Sequence, residues 1–303
     1  MSKIRLGVSS CLLGNKVRYD GQHQRNSFIC DELAEFVEYL PVCPEVECGL
    51  PVPREAMHLT GESQHPRLVT IHSNRDITEQ MQTFVKKRLE ELAQENLDGF
   101  IFKKDSPSSG LARVKVYNGN GMPLRTGRGM FAGAFEDRFP DLPLIEEGML
   151  NDRFLRERFL NRISAAQRWR DYPAMDNPKH KLSEFQSENK LLLMSHAPGR
   201  YAELGRLAES GNLEAYWQLF RQLLQYLPSV SKHVNVMQHI LGYFKKDLAP
   251  WEKSEVLSAI EGYRNNSLQI AVPLTLLRHY VKKFDQNYLA KQSYWNILSQ
   301  LYL

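Results

Sequence analysis

The first 170 residues alternate between short apolar runs typical of buried strands and longer segments with the apolar spacing of amphipathic helices. The run "KIRLGVSS" has the composition of a buried strand, and "DITEQMQTFVKKRLEELAQEN" places Ile77, Met81 and Val85 along one helix face. "DGFIFKKDSPSSG" is a further strand that ends in a Ser/Pro/Gly loop. Because strand and helix alternate, the sequence predicts a parallel, doubly wound, Rossmann-like α/β sheet.

A change of pattern marks a second domain. The segment "DYPAMDNPKHK" has two prolines, few apolar residues and mixed charges, so we interpret residues 171–181 as a linker. The chain is therefore expected to contain an α/β domain over residues 1–170 and an all-α domain over residues 182–303. Beyond the linker, helices are expected near residues 182–196, 199–209, 212–226, 231–246, 250–264 and 270–301.

Charge and cysteine use narrow the classes of function. The N-terminal segment lacks the apolar stretch of a signal peptide, and no apolar run approaches the ~18–20 residues of a membrane-spanning helix. We therefore expect a cytoplasmic protein without membrane contacts, in which thiols stay reduced and cysteines serve metal binding or catalysis more often than disulfides. Residues 168–303 hold 17 Lys and Arg against 12 Asp and Glu, an excess that permits an anionic partner such as RNA.

Three loops at predicted strand ends carry unusual chemistry. They are "SSCLLG" with Cys11, "CPEVECG" with Cys43 and Cys48, and "KKDSPSSG" with Ser106. Because parallel strands end in the same direction, these loops are expected to converge. Three thiolates suit a soft metal centre, and three cysteines can hold three irons of a [4Fe-4S] cluster while the fourth iron stays open. Buried thiols without a ligand are the alternative, and Cys30, on an apolar helix face, is interpreted as core.

Two other cofactor classes fit the motifs less well. Structural zinc is usually held by four Cys or His ligands, often in paired C-x₂-C motifs, which this sequence lacks. The segment "GVSSCLLG" lacks G-x-G-x-x-G after the first strand, so we expect no nicotinamide cofactor.

At this point the motifs match a known family. "SSCLLGNKVRYDG", "VCPEVECGLPVPRE" and "KKDSPSSG" followed by "RVKVY" resemble the TudS-type desulfidase domain across roughly residues 3–165. "HVNVMQHILGYFKK", "PLTLLRHY" and "YLAKQSYW" in the second half resemble the YbgA-like domain, and the two together resemble RudS-type proteins. The resemblance implies an oxygen-sensitive [4Fe-4S] cluster held by three cysteines. It also implies removal of sulfur from 4-thiouridine in tRNA. The helical domain is then expected to bind tRNA by backbone and shape, and shielding of the cluster from oxygen is the alternative. The candidate contacts, at spacings that could share a helix face, are His233, Asn235, His239, Tyr243, Lys245 and Lys246.

The chain departs from the family pattern in one respect. In many relatives the last motif carries a cysteine at the position of Ser109, and position 48 is not a cysteine. The number of thiols is preserved here, so we expect Cys48 to replace the missing ligand and to bind iron together with Cys11 and Cys43. The alternative is that Cys48 packs in its loop and a serine oxygen or water completes the site.

The implied reaction needs acid–base chemistry. Replacing C=S by C=O at a pyrimidine is a hydrolysis without net redox change, in which an open iron accepts the sulfur as a Lewis acid. Glu45 lies two residues from Cys43 and is the expected general acid/base, with Glu47 as the second choice. Ser106 matches a functional serine of the family pattern and is expected to orient the base or the attacking water. A structural carboxylate and a turn-capping serine are the alternative interpretations.

Basic residues flank the three loops and are candidate contacts to RNA phosphate. They are Arg18, Arg25, Lys103, Lys104, Arg113 and Lys115. Two alternatives to a tRNA desulfidase stay open at this stage. One is a desulfidase of free thiouracil or thionucleosides, and the other is a non-catalytic RNA-binding protein with a zinc or redox-sensing site. The sequence does not predict an oligomeric state.

Overall fold

The structure is a computed structural model that describes residues 2–172 and 178–295. The chain forms two compact units, which divide between Asp152 and Arg153. The first unit contains the strands, and the second is helical in its described residues. This confirms the predicted combination of an α/β domain with an all-α domain.

The first unit contains two four-stranded sheets. The first sheet has the order β2-β1-β5-β8, and all of its strand pairs are parallel. The predicted parallel sheet is therefore confirmed. The strands are β1 (Ile4–Ser9), β2 (Val37–Val42), β3 (Met57–Thr60), β4 (Arg67–Thr70), β5 (Gly99–Phe102), β6 (Val114–Tyr117), β7 (Pro123–Gly127) and β8 (Leu144–Glu146).

The second sheet was not predicted. It has the order β4-β3-β6-β7, in which β3 and β6 run parallel while β4 and β7 pair antiparallel at the two edges. The run "RLVTIH" has the composition of a strand, and its first four residues form β4 of this sheet. Three of the four residues of β4 are buried, whereas four of the five residues of β7 are exposed, so the core covers only part of this sheet.

The helices of the first unit are α1 (Pro44–Glu47), α2 (Thr78–Leu92) and α3 (Met130–Arg138). The buried face of α2 includes Met81, Val85 and Leu89, as the apolar spacing predicts. It packs in one core with Phe100 and Phe102 of β5, whose rings stack at 4.2 Å between centroids. The segment after Ser27, expected as a regular helix, is instead a π-helical turn over Phe28–Glu32 and a 3-10 turn over Leu33–Glu35 that leads into β2.

The helices of the second unit are α4 (Arg153–Asp171), α5 (Pro178–Glu188), α6 (Lys190–His196), α7 (Tyr201–Ser210), α8 (Leu213–Leu223), α9 (Val230–Tyr243), α10 (Pro250–Arg264), α11 (Ala271–Lys283) and α12 (Asn287–Ala290). Asn212 and Ser229 cap α8 and α9 by accepting backbone N–H groups with their side chains. The long helix expected over 270–301 ends at Lys283, because Asp285 adopts a left-handed conformation with φ of 47°. Residues 296–303 lie outside the described residues.

The predicted boundary after residue 170 differs from the structural division after Asp152. Helix α4 belongs to the second unit, where Ala165 and Tyr172 share one buried cluster with Leu182 and Phe185. The apolar residues of α4 thus find their partners beyond the predicted linker, of which residues 173–177 lie outside the described residues. No helix in the described part of the chain is long and apolar enough to cross a membrane.

Candidate functional site

A cavity of about 400 Å³ opens at the carboxyl ends of β1, β2 and β5. Its lining includes residues from each of the three loops that follow these strands. The loop after β1 contributes Cys11, the loop after β2 contributes Cys43 and Glu45, and the loop after β5 contributes Ser106 and Ser109. Ligands bind at this edge in open parallel sheets, so the cavity is the candidate functional site.

Two buried thiols line the cavity. Cys11 lies in a 3-10 turn that ends at Gly14, where φ is 95°, and its carbonyl accepts the N–H of Gln24 at 2.9 Å. Burial raises the pKa of the Cys11 thiol to about 11, and the carboxylate of Glu45 adds to the effect. Burial raises the pKa of the Cys43 thiol to about 12, again with a contribution from Glu45. Without a cation both groups are neutral at pH 7, whereas a bound metal ion stabilises the thiolates.

Glu45 connects the thiol of Cys43 to the serine loop. Its Oε2 lies 3.5 Å from Cys43 Sγ. Its Oε1 accepts hydrogen bonds from Ser106 Oγ at 3.4 Å and from Ser108 Oγ at 2.5 Å. Ser106 Oγ also accepts the backbone N–H of Ser109 at 3.1 Å, which closes the loop into a turn. The carboxylate is therefore held between two predicted functional groups, Cys43 and Ser106.

Arg54 is a site residue that the sequence analysis missed. Its side chain is only 7% exposed, lines the cavity and donates to the carbonyl of Val17 at 3.0 Å. Its Nη2 lies 3.8 Å from Glu45 Oε2, so the guanidinium and the carboxylate form a buried ion pair. The sequence around Arg54 gives little indication of this role, because the residue follows a proline-rich run and its partner Val17 lies far away in sequence.

Cys48, the third predicted iron ligand, lies outside the lining of this cavity. It caps the C-terminal end of α1, and its thiol donates to the carbonyl of Glu45 at 3.2 Å. The residue is half-buried and lines a separate depression together with Gln80, Phe84 and Arg88. The structure thus brings Cys11 and Cys43 to the cavity and leaves Cys48 outside its lining, while Ser109 lies within it. Within residues 2–172 and 178–295, no three Cys, His, Asp or Glu side chains are arranged as a ready metal site.

Glu47 has a structural position. Its Oε1 accepts the backbone N–H of Cys43 at 2.7 Å, and its Oε2 pairs with Arg88 Nε at 3.0 Å. Glu47 lines the depression of Cys48 and not the main cavity. Of the two candidate carboxylates, Glu45 is therefore the one at the site.

The candidate phosphate-binding residues fall into two groups. Arg18, Lys103 and Lys104 line the cavity, where Arg18 is held by Asp20 and Lys103 forms an ion pair with Glu147. The other three, Arg25, Arg113 and Lys115, lie outside its lining. Arg25 pairs with Asp31, and Lys115 belongs to β6 of the second sheet.

The fold and the cavity define a class of protein with thiols, a carboxylate and serines at the open edge of a parallel sheet, joined to a helical unit. Residues 6–147 match the family model described as 2-thiouracil desulfurase, and residues 190–298 match the model described as protein of unknown function (DUF1722). The chain belongs to the 2-thiouracil desulfurase family, a desulfidase family, through its first unit, and its second unit is a YbgA-like domain. The predicted family resemblance is confirmed.

Individual relatives each match part of this chain. The uncharacterized protein YbbK of Bacillus subtilis (strain 168) is 31% identical over 152 residues, which cover 48% of this chain and 97% of that protein. The uncharacterized protein YbgA of Escherichia coli (strain K12) is 27% identical over 124 residues, 38% of this chain and 73% of that protein. A solved structure described as the [4Fe-4S]-dependent thiouracil desulfidase TudS is 30% identical, with a TM-score of 0.41, and the match covers 50% of this chain and 95% of that one.

Proposed function

We propose that the first unit is a [4Fe-4S]-dependent desulfidase and that its substrate is 4-thiouridine in tRNA, which it converts to uridine. The observation that carries the proposal is the convergence of Cys11, Cys43, Glu45 and Ser106 on one cavity. Membership of the 2-thiouracil desulfurase family supports the class of reaction. The cavity volume of about 400 Å³ lies in the range of small-molecule sites.

The residues present fit an iron–sulfur cluster. Cys11 and Cys43 are both buried at the cavity, and thiolates are the preferred ligands of iron–sulfur clusters. Burial raises the pKa of both thiols, and a bound cation would stabilise their thiolates. When bound, the cluster would supply an open iron that accepts the thiocarbonyl sulfur as a Lewis acid. The predicted role of Cys48 as a third ligand stays a prediction.

The side chains around the cavity support hydrolysis. The net reaction adds water to the carbon that carries sulfur and releases the sulfur as hydrogen sulfide. Both protons of the water must therefore leave its oxygen and end on the departing sulfur. Glu45 accepts a proton from water. Among the described residues, its Oε2 contacts the thiol of Cys43 at 3.5 Å and the Arg54 guanidinium at 3.8 Å. Ser106 and Ser108 hold Oε1 and thereby fix the orientation of the carboxylate.

Arg54 holds the carboxylate in place. Its Nη2 lies 3.8 Å from Glu45 Oε2, so the guanidinium is the cation beside this carboxylate in the cavity. Arg54 is thus a positioning residue of the proposed reaction, and its anchor on the Val17 carbonyl fixes it in the cavity wall.

Two features favour tRNA over a free base. The match to the relative YbbK covers 97% of that protein but 48% of this chain, so about half of this chain is additional to what the two share. Within the basic second half, α9 and the turn after it expose Asn235, Tyr243, Lys245 and Lys246, which suit contacts to the RNA backbone. The candidate His233 is instead buried, where it pairs with Glu157 and Tyr294.

An anaerobic assay with matched substrates tests the proposal. Reconstituted protein and the Cys11→Ala variant are incubated with 4-thiouridine-containing tRNA and separately with free thiouracil, and thiocarbonyl absorbance and sulfide release are followed. We expect turnover of the tRNA that the variant loses. Turnover of the free base alone would keep the chemistry and reject tRNA as the substrate. A reconstituted cluster with no turnover of either would reject the desulfidase and favour a non-catalytic RNA-binding protein.

Metal content distinguishes the proposed iron–sulfur enzyme from the remaining alternative, a non-catalytic RNA-binding protein with a zinc or redox-sensing site. A protein with a zinc or redox-sensing site would be colourless with bound zinc, whereas an iron–sulfur protein purified without oxygen is brown. Iron, zinc and acid-labile sulfide are therefore measured on the anaerobically purified protein before any reconstitution.

A further inference from the structure

We infer that Ser109, and not Cys48, supplies the third protein ligand of the iron–sulfur cluster. The inference rests on the proposed function, since it assigns a ligand to the proposed cluster. It starts from the placement of two residues that the sequence offered as alternatives. Ser109 lines the same cavity as Cys11 and Cys43, and Cys48 lines the separate depression beside α2.

The serine loop holds Ser109 firmly in the cavity wall. Ser109 is only 4% exposed, and its backbone N–H donates to Ser106 Oγ at 3.1 Å. The next residue, Gly110, donates to the carbonyl of Ser106 at 2.8 Å, so the loop forms a closed turn. The carbonyl of Ser108 accepts two N–H groups from the first turn of α3, which ties the loop to that helix. The position of Ser109 is therefore preorganised.

Close packing of α3 on the loop reinforces this position. A Cβ atom on Gly129 would lie 2.5 Å from the carbonyl carbon of Ser108 and 2.7 Å from the N atom of Ser109. The glycine thus allows α3 to approach the loop backbone more closely than any other residue would. The loop and the start of α3 form one unit that presents Ser109 to the cavity.

Cys48 is held in a different place. The one-turn helix α1 has Cys43 at its N-terminal cap and Cys48 at its C-terminal cap, so the two thiols leave opposite ends of the turn. The Cys48 carbonyl accepts Gln80 Nε2 at 2.8 Å, and its thiol donates to the carbonyl of Glu45 at 3.2 Å. Turning this thiol toward Cys43 would break its hydrogen bond to the Glu45 carbonyl.

The chemistry of the serine suits this role. Ser109 binds iron through Oγ as an alkoxide, so an Fe–O bond forms and the O–H proton leaves. Ser109 Oγ lies 3.3 Å from Ser108 Oγ, which donates to Glu45 Oε1. This chain of hydroxyls passes the proton to Glu45, and from there it reaches solvent through the cavity during cluster assembly. An alkoxide is a harder donor than a thiolate, so the cluster differs spectroscopically from one with three cysteines.

Three variants of the full-length protein test the inference: Ser109→Ala, Cys48→Ser and Ser109→Cys. Each is reconstituted without oxygen, and iron and sulfide content, the rate of iron loss to a chelator, and the Mössbauer spectrum are measured. We expect Ser109→Ala to lose iron about 10-fold faster or more than wild type, and Cys48→Ser to match wild type. We expect Ser109→Cys to keep the cluster and to lower the iron signal without thiolate ligation from about a half to about a quarter of the total.

The outcomes separate this inference from the proposed function. Far-ultraviolet circular dichroism of each variant shows whether it is folded, and the near-isosteric Ser109→Cys gives a spectral result even if Ser109→Ala is unstable. Loss of the cluster in Cys48→Ser with retention in Ser109→Ala would overturn the inference in favour of Cys48. Unchanged clusters in both, or loss in both, would overturn it as well. Failure of the wild type itself to form a cluster would instead reject the proposed function.

Discussion

The Sγ atom of Cys43 lies 3.5 Å from Oε2 of Glu45, so a predicted iron ligand and the predicted acid–base carboxylate are in direct contact. The contact arises from local geometry, because Cys43 caps α1 and Glu45 lies in its first turn. The same short helix thus positions both groups at the end of β2. As a cluster ligand Cys43 would be a thiolate, which has no proton to donate to Oε2 of Glu45, so that oxygen could accept from a water molecule.

The Glu45→Gln variant tests the role of the carboxylate. The amide keeps the size of the side chain and can still accept from Ser106 and Ser108, but it cannot accept a proton. We expect the cluster to form and kcat for desulfuration to fall by about 10²–10⁴-fold. Glu47→Gln is the matched control, since Glu47 contacts Arg88 and the Cys43 backbone outside the cavity lining. An equal loss of kcat in both variants would contradict the assignment.

Arg54 is expected to contribute to stability as well as to the site. Arg54→Ala would leave Glu45 as a buried carboxylate without its cation, which costs about 3–5 kcal/mol in comparable buried pairs. Arg54→Lys keeps the charge and is expected to recover part of this loss. Differential scanning calorimetry on both variants measures the change. A transition temperature of the first unit that does not move in Arg54→Ala would show that the pair is not stabilising.

The elements that the sequence predicted well are those whose signal is local. The runs that form β1 and β5 are mostly apolar because parallel strands of this kind are buried, and the loops after them carry Cys11 and Ser106. The convergence of these loops follows from the common direction of the strands. The periodicity of α2 likewise gives its buried face directly.

The features that the sequence did not predict depend on contacts distant in the chain. The second sheet pairs Leu59 of β3 with Val116 of β6, and no local pattern specifies that partner. Arg54 becomes a site residue through the Val17 carbonyl and Glu45. Cys48 shares one motif with Cys43, but the single turn of α1 lies between them. Cys43 lines the main cavity, and Cys48 lines the separate depression.

Gly129 is expected to be intolerant of any side chain. A methyl group in Gly129→Ala would lie 2.5–2.7 Å from backbone atoms of Ser108 and Ser109, which cannot move as a flexible side chain does. We expect a loss of about 1–3 kcal/mol in unfolding free energy of the first unit and a displaced serine loop. Gly119→Ala is the control, because a Cβ at Gly119 meets nothing within 4 Å. Calorimetry and kcat are compared for the two variants, and equal behaviour would contradict the packing argument.

The second unit is expected to lose stability in mild acid because of His196. This histidine is fully buried, its Nδ1 donates to the carbonyl of Tyr226 at 2.7 Å, and its Nε2 lies 3.0 Å from the amide nitrogen of Asn161. Burial lowers the pKa of His196 to about 4 from its ordinary 6.5, against the opposing effect of Glu157. The unfolded chain therefore binds a proton below about pH 6.5 that the folded unit does not bind until about pH 4. The free energy of unfolding of the second unit therefore decreases as the pH is lowered, by about 2 kcal/mol between pH 7 and pH 5.

Tryptophan fluorescence isolates this effect. All four tryptophans, Trp169, Trp217, Trp251 and Trp295, lie in the second unit, so urea unfolding followed by their emission reports that unit alone. The free energy of unfolding is measured at several pH values between 7 and 5 for wild type and His196→Gln. The variant is expected to be less stable at every pH because its packing is disturbed. The quantity compared is therefore the slope of unfolding free energy against pH. We expect this slope to be smaller in the variant than in wild type, by about the contribution of one histidine. Parallel pH profiles would show that the neutral form of His196 is not what the fold requires.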